Sequence, residues 1–485
     1  MKWIKIGVFI VIFAIFVYFR ITPIINQTVP YTYDQGRDFL KIEEIFRDKN
    51  ITFIGPTTGI QGVYHGVWWY YFLIIPYLLF SGWPQGFYYG LFILNLIVIL
   101  SFYKFLKKNY SFGTALFFLS TVSVSNFFIR SSFFASNNSL TPLFVLVLLF
   151  SLYQLFKTNK SRYLFLTGLS LGFIFETEMA FGLFIIPSFL ITYLLFRKLR
   201  EIIYLFPGLI LPIIPRLFFE LRNNFLQTRS FLDFLSSPKN TNTIQLKTAI
   251  TDRLVTFWQY WTGLFYKENI FFSILFMLVL LGSFISINKK FSTKKTLVNF
   301  LLILTGLVFI FSLTNKDSFF WSYYLDGIQY VFLFLLTSVF FFIEKNKKIS
   351  FTAYFLLTFI IGINLFSLKS ELINKNPIPL IGLRADDTIV KYVLKKNTGK
   401  EFCLKIYTPP AFPFTYRYLL DYYTKKGSVK YPKADPVGNL CWYIIDFDNY
   451  QERVADWRKE NIPETGRLIE KKMMENKTSV ELWSI

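Results

Sequence analysis

Eleven hydrophobic runs divide this chain, at 3–19, 87–106, 112–129, 140–156, 163–179, 181–196, 202–219, 270–287, 297–313, 326–343 and 349–367. Each is near the roughly 17 to 25 residues that a helix needs to cross a bilayer. In hydrocarbon every backbone N–H and C=O must be satisfied within the protein, so runs of this length and number point to an α-helical polytopic membrane protein. Composition agrees: 61 Phe, 30 Tyr and 10 Trp in 485 residues, 53% hydrophobic overall, are more apolar surface than a water-soluble fold of this size hides. The net charge of +22 does not indicate nucleic acid, because Lys and Arg are scattered between the apolar runs and form no single basic domain. No small-residue cleavage pattern follows Phe19-Arg20-Ile21-Thr22-Pro23, so the first run reads as an uncleaved anchor.

A further aromatic stretch, residues 67–80, is fourteen residues long and contains Pro76. It is too short for a span and reads as an interfacial helix, with Trp68, Trp69, Tyr70 and Tyr71 assigned to the ordinary aromatic belt. Loop charge tests that reading. With the N-terminus inside and 67–80 not crossing, the inside connections carry Lys104, Lys107 and Lys108; Lys157, Lys160 and Arg162; Arg197, Lys198 and Arg200; Lys289, Lys290, Lys294 and Lys295; Lys345, Lys347 and Lys348. The short outside connections carry only Arg130 and Lys316, which is the asymmetry of the positive-inside rule. Counting 67–80 as a span would reverse every later loop. The expected topology is therefore N-terminus in and C-terminus out.

This arrangement gathers the unusual polar residues at the outer face: Asp34, Asp38, His65, Asn137, Asn138, Glu176, Glu178, Glu220, Arg222, Asp317 and Asp326. Two long hydrophilic segments lie there too, a first outside loop at 20–86 and a second at 220–269. The first contains Tyr33-Asp34-Gln35-Gly36-Arg37-Asp38, an expected helix at 37–48, and a Gly-rich turn region from Gly55 to Gly66.

The expected division is a membrane domain, 1–369, and an outside domain, 370–485, whose composition is that of an ordinary soluble fold. Glu401 to Tyr407 and Leu440 to Asp446 read as buried strands, 412–424 and 450–459 as helices, and 466–485 as a strand pair, giving a small α/β domain. Cys403 and Cys441, the only cysteines, fall on those two strands; a disulfide and two buried free thiols both fit. No CxxC or His/Cys cluster suggests zinc.

A carboxylate motif just after the first span, an interfacial aromatic helix, about eleven spans and an outside C-terminal domain resemble the GT-C membrane glycosyltransferases. More narrowly, the chain resembles family 39, the bacterial relatives of protein O-mannosyltransferases and lipid A aminoarabinose transferases. The segments that carry this are Tyr33-Asp34-Gln35-Gly36-Arg37-Asp38, Ile54-Gly55-Pro56-Thr57, Gly62-Val63-Tyr64-His65-Gly66, Phe219-Glu220-Leu221-Arg222-Asn223 and Tyr407-Thr408-Pro409-Pro410. The resemblance implies transfer of a sugar from a polyprenyl-phosphate donor to a glycan, lipid or protein acceptor, at the outer side of a bacterial cytoplasmic membrane.

Chemistry at an outer face is consistent with such a donor, because nucleotide sugars are cytoplasmic and a lipid carries its head group across. The reaction needs a carboxylate to take the proton from the attacking hydroxyl and a cation to stabilise the leaving phosphate. Asp34 is the candidate base; just ahead of a helix, it also suits an N-cap. Asp38, four residues on, is a candidate substrate-binding residue, although pairing with Arg37 or Lys41 on a wet surface fits the sequence better. Where relatives often carry an Asp-Glu pair, Gln35 follows Asp34, which weakens a carboxylate-bound metal; no cofactor is assigned and a divalent metal stays open. The single histidine, His65, stands where the resemblance places a basic residue near the donor phosphate, with Arg130, Arg216 and Arg222 as competitors. Arg216 lies beside Pro212 and Pro215, where broken helix and a cation suit a cavity; snorkelling is its alternative. Glu176 and Glu178, two apart on a helix, point about 200° from each other, and Glu178 is included as a substrate contact. A transporter, a lipid-linked polysaccharide ligase or polymerase, and a non-catalytic scaffold are the rival classes. No internal repeat of the kind transporters show is evident.

Overall fold

The computed structural model describes residues 2–236, 244–265, 292–315, 320–346, 349–373, 382–409, 412–427 and 429–485. Its first nine helices are α1 (Lys2–Ile25), α2 (Tyr33–Asp48), α3 (Trp68–Leu79), α4 (Pro84–Asn109), α5 (Phe112–Val124), α6 (Asn126–Ser131), α7 (Thr141–Thr158), α8 (Ser161–Thr177) and α9 (Met179–Phe196). Seven described helical stretches are long and apolar enough to span: Trp3–Ile25, Pro84–Asn109, Asn137–Thr158, Met179–Phe196, Leu199–Arg222, Thr293–Ser312 and Ile328–Lys345. Shorter apolar helices cover Trp68–Leu79, Phe112–Val124 and Ser350–Phe366. The protein is a multi-pass membrane protein, although these helices do not establish eleven crossings. The run at 270–287 lies outside the described residues.

Two runs and one hydrophilic segment differ in detail from the sequence reading. The one at 112–129 is broken at Ser125, whose backbone is extended (φ −71°, ψ 125°) and whose hydroxyl bonds Gly263 O at 2.8 Å. The one at 202–219 is a chain of short α and 3₁₀ pieces around Pro207, Pro212 and Pro215, because proline removes a helical donor at each. The second hydrophilic segment is not wholly wet: Arg253, on the helix Leu246–Thr262, is buried with Nη2 2.7 Å from Asn315 O.

The bundle has two chemically distinct ends. At one, Lys157 reaches Asn109 Oδ1 at 2.9 Å and Arg197 reaches Asn159 Oδ1 at 2.5 Å, while Lys5 and Lys107 both lie over the Phe112 ring. Asp34, Asp38, His65 and Glu176 lie at the other, while Glu201 and Glu344 stay at the first, on Tyr193 and Ser111. Sorting by loop charge thus matches a real separation of ends.

The C-terminal strands are β1 (Leu404–Tyr407), β2 (Leu440–Ile445), β3 (Arg467–Met473) and β4 (Ser479–Ser484), in sheet order β1-β2-β4-β3. β1 and β2 are parallel and joined by a crossover through the helix Phe414–Lys425, whereas β3 and β4 form an antiparallel pair. Register places Leu404 opposite Trp442, so Cys403 and Cys441 sit side by side and form a disulfide. This sheet domain grips the first loop. Leu383 N donates to Val29 O at 3.2 Å and Arg384 N to Gln27 O at 2.9 Å; Tyr418 donates to Gly82 O at 2.6 Å; Lys425 pairs with Glu43. A Cβ on Gly36 would overlap the Phe414–Thr415 backbone, so only glycine lets α2 pack this closely.

Candidate active site

Helix α2 starts earlier than the sequence suggested. Thr32 is its N-cap, and Gln35 folds back so that Oε1 accepts from Thr32 N at 2.8 Å. Gln35 Nε2 donates to Ala135 O at 3.1 Å, a bond that a glutamate there could not make. Asp34 is therefore not the cap; it lies in the first turn, where the helix dipole favours its charge. Its side chain is 54% exposed and meets Arg37 Nη1 at 3.0 Å.

Asp38 is not on a wet surface. It is fully buried, with Arg37 Nη2 2.9 Å from Oδ1, Trp69 Nε1 2.8 Å from Oδ2 and Tyr70 hydroxyl 3.4 Å from Oδ1. Burial lifts its carboxyl to about 6, against the pull of Arg37 and Trp69 in the other direction. Trp69 and Tyr70 thus serve Asp38 and not a lipid belt. Their neighbours are also tied within the protein: Trp68 Nε1 donates to Pro212 O at 2.7 Å and Tyr71 to Thr52 O at 2.8 Å.

The Gly-rich region forms a small hairpin. Gly55 N donates to His65 O at 2.9 Å and His65 N to Pro56 O at 2.8 Å. Its end is pinned by Gly66 N on Glu176 O at 2.7 Å, and a Cβ on Gly66 would overlap the Glu176 carboxylate. Glu176 Oε1 in turn accepts from Arg216 Nε at 2.7 Å. Arg216 Nη1 donates to Tyr64 O and to Gln227 Oε1, both at 2.9 Å, and Glu220 holds the backbone N–H of Gln227 at 2.9 Å. The arginine is thus held in the protein, not snorkelling. Three buried nitrogens here have no partner among the described residues, Arg216 Nη2, His65 Nδ1 and Gln227 Nε2. Burial, with the charges of Arg216 and Arg37 behind it, holds the imidazole down to about 3, so the expected basic residue is neutral at pH 7.

Glu178 and Glu176 do face different partners. Glu178 is buried beyond the end of α8, with Asp326 close enough to act on it. Asp326 accepts from Tyr260 at 2.5 Å and from Asn138 Nδ2 at 2.7 Å. Tyr323 links this group to α2: after burial and Tyr324, the charges of Glu178 and Asp34 both push its hydroxyl pKa up. Arg222 is not brought to either cluster. It is exposed and lines a cleft of about 290 Å³ with Lys41, Asp48 and Phe53. Arg130 is exposed and bonds Asn126 Oδ1 at 3.1 Å. Among the described residues no three His, Cys, Asp or Glu side chains converge as a metal site.

The fold that carries this carboxylate and these unpaired nitrogens is matched, as a fold, in solved structures. ArnT from Cupriavidus metallidurans bound to undecaprenyl phosphate aligns over 99% of this chain and 98% of its own, with TM-score 0.59 and 10% identity. Its apo form aligns over 98% of both chains with TM-score 0.60 and 11% identity. The chain thus shares the fold of these ArnT structures. Residues 65–217 also match the family model described as dolichyl-phosphate-mannose-protein mannosyltransferase, a stretch that begins at His65 and ends just past Arg216. No protein of curated function matches the sequence. The likeness therefore rests on shape over nearly the whole chain and on sequence only for residues 65–217.

Proposed function

We propose that this GT-C protein transfers a sugar from a polyprenyl-phosphate donor to an acceptor hydroxyl at the outer membrane face. The observation that carries the proposal is the split between the two aspartates that Arg37 holds. Asp38 is buried and committed to Arg37, Trp69 and Tyr70, whereas Asp34 keeps more than half of its side chain open. Asp34 takes the proton as the acceptor oxygen attacks the anomeric carbon, and the bond from that carbon to the lipid phosphate breaks with the electrons passing to phosphate.

The leaving phosphate is assigned to the unpaired Nη2 of Arg216 and to His65 Nδ1. A neutral imidazole binds there as a hydrogen-bond donor, and an anion beside it draws its pKa back up. Donors fixed in a dry pocket favour charge that develops in the transition state. Glu178, with Tyr323, is assigned to sugar hydroxyls. The positively charged end of the bundle faces the cytoplasm, which puts the C-terminal domain outside.

The test is transfer from synthetic polyprenyl-phosphate sugars to membrane-extract acceptors by purified protein in nanodiscs. Asp34→Asn is expected to cut transfer by about 10²-fold or more with the melting temperature unchanged. Equal transfer by both forms overturns the role of Asp34.

A further inference from the structure

We infer that the cleft between α2 and the C-terminal helix Phe414–Lys425 binds the acceptor, and that the acceptor is a saccharide. This deepens the reading above and rests on it for the word acceptor, but the cleft stands on its own geometry. It has a volume of about 350 Å³ and opens where the outer domain meets the first loop. Binding pockets favour such junctions and are commonly about 300–1,000 Å³.

Arg37 is a shared wall. Its Nη1 reaches Asp34 at 3.0 Å and Thr57 Oγ1 at 3.3 Å, and both Arg37 and Thr57 line the cleft. A molecule lying in the cleft therefore ends at the guanidinium that holds the proposed base. Aromatic rings continue the path: Tyr33, next to Asp34, packs on Phe414 at 4.8 Å, and Phe414 stacks on Phe412 at 5.4 Å with the planes 15° apart. Phe412 is 54% exposed and Tyr431, in the cleft wall, 46%.

The polar lining separates into used and available groups. Lys41 is paired with Glu44, Glu43 with Lys425 and Tyr77, and Arg47 with Asp48. Arg417 and Asp421 line the cleft one helical turn apart, and among the described residues neither side chain has a hydrogen-bond partner. They influence each other only through charge. One available fork of donors and one available carboxylate, near exposed rings, suit a molecule with neighbouring hydroxyls and an apolar C–H face. That is a pyranose. An acidic ligand would meet Asp421 as well as Arg417, and an extended peptide would need rows of backbone partners that helices do not offer.

The test uses full-length protein in nanodiscs, probed with an array of defined di- to tetrasaccharides and, in parallel, a Ser/Thr peptide library. At least one saccharide is expected to bind, with Arg417→Ala and Tyr431→Ala each weakening it tenfold or more. Hydrogen exchange on the unaltered protein is the check that needs no variant: the bound saccharide should slow amide exchange in 414–425. Binding of peptides alone, no saccharide binding, or saccharide binding that ignores both variants and leaves that helix unprotected, overturns the proposal. Polyprenyl-phosphate binding and transfer are measured in the same discs. Saccharide binding in the cleft without transfer from any donor sinks the donor reading and leaves the cleft standing.

Discussion

The indole N–H of Trp69 points at Asp38 Oδ2 from 2.8 Å, and both side chains are fully buried. Together with Arg37, this bond pulls down a carboxyl that burial nonetheless lifts to about 6. Below that pH Asp38 takes a proton, Arg37 loses its buried counter-charge, and the guanidinium no longer holds Asp34 as it did. Transfer should therefore fall on acidification with a midpoint near 6. Trp69→Phe removes a donor that favours the ionised form, so the acid limb should move up by about one pH unit with little loss at pH 8. The measurement is a pH–rate profile; an unmoved limb would show that Asp38 does not govern it.

Arg37 is the cation for two carboxylates of opposite burial. Arg37→Gln strips the enclosed Asp38 of its counter-charge, a change of the kind that costs about 3–5 kcal/mol. The melting temperature should drop sharply. Adding Asp38→Asn removes the stranded charge and should recover most of that loss, yet transfer should stay low because Asp34 still lacks its partner. A double variant no more stable than Arg37→Gln alone would mean that burial of Asp38 is not what Arg37 compensates.

What the sequence revealed was what charge and period encode. Lys107, Lys157 and Arg197 could be assigned to one end because the membrane penalises charge within a span, whatever the tertiary fold. The strands at Cys403 and Cys441 were equally plain from short apolar runs. Trp69 was not, because an aromatic run at an interface looks the same whether its rings meet lipid or an aspartate; only the packing of α3 on α2 decides. Arg222 could not be told from Arg216 for a similar reason. The two share a helix, and six residues of rotation carry one into the buried pocket and the other to an exposed cleft. Gln227 carried no signal, since its role as an acceptor for Tyr64 N and Arg216 arises from a turn after that helix.

Gly66 offers a test of the pocket that alters no functional side chain. The hairpin and α8 meet there so closely that a methyl group would overlap Glu176, the residue that anchors Arg216. Gly66→Ala should lower both transfer and melting temperature, whereas Gly59→Ala, in open space on the same loop, should change neither. Polyprenyl-phosphate binding should fall with the first variant only. Equal binding by both would separate Arg216 from the phosphate.

The C-terminal sheet region carries its own pH dependence. Asp386 and Asp446 are buried near each other, and Asp446 accepts from Tyr416 at 2.6 Å and Thr478 at 2.9 Å. Burial lifts both carboxyls, Asp446 to about 6 and Asp386 further by the added charge of Asp446. An acid whose folded pKa is raised binds more proton when folded, so stability is greatest at low pH and declines as pH climbs from about 4 through 6. Unfolding midpoints of the whole protein should then fall between pH 5 and pH 7.5. Asp386→Asn keeps the shape without the charge and should stabilise at pH 7.5 by on the order of 1 kcal/mol while flattening the slope. A variant that is less stable at pH 7.5 and keeps the slope would show that Asp386 is ionised and needed as a charge where it lies.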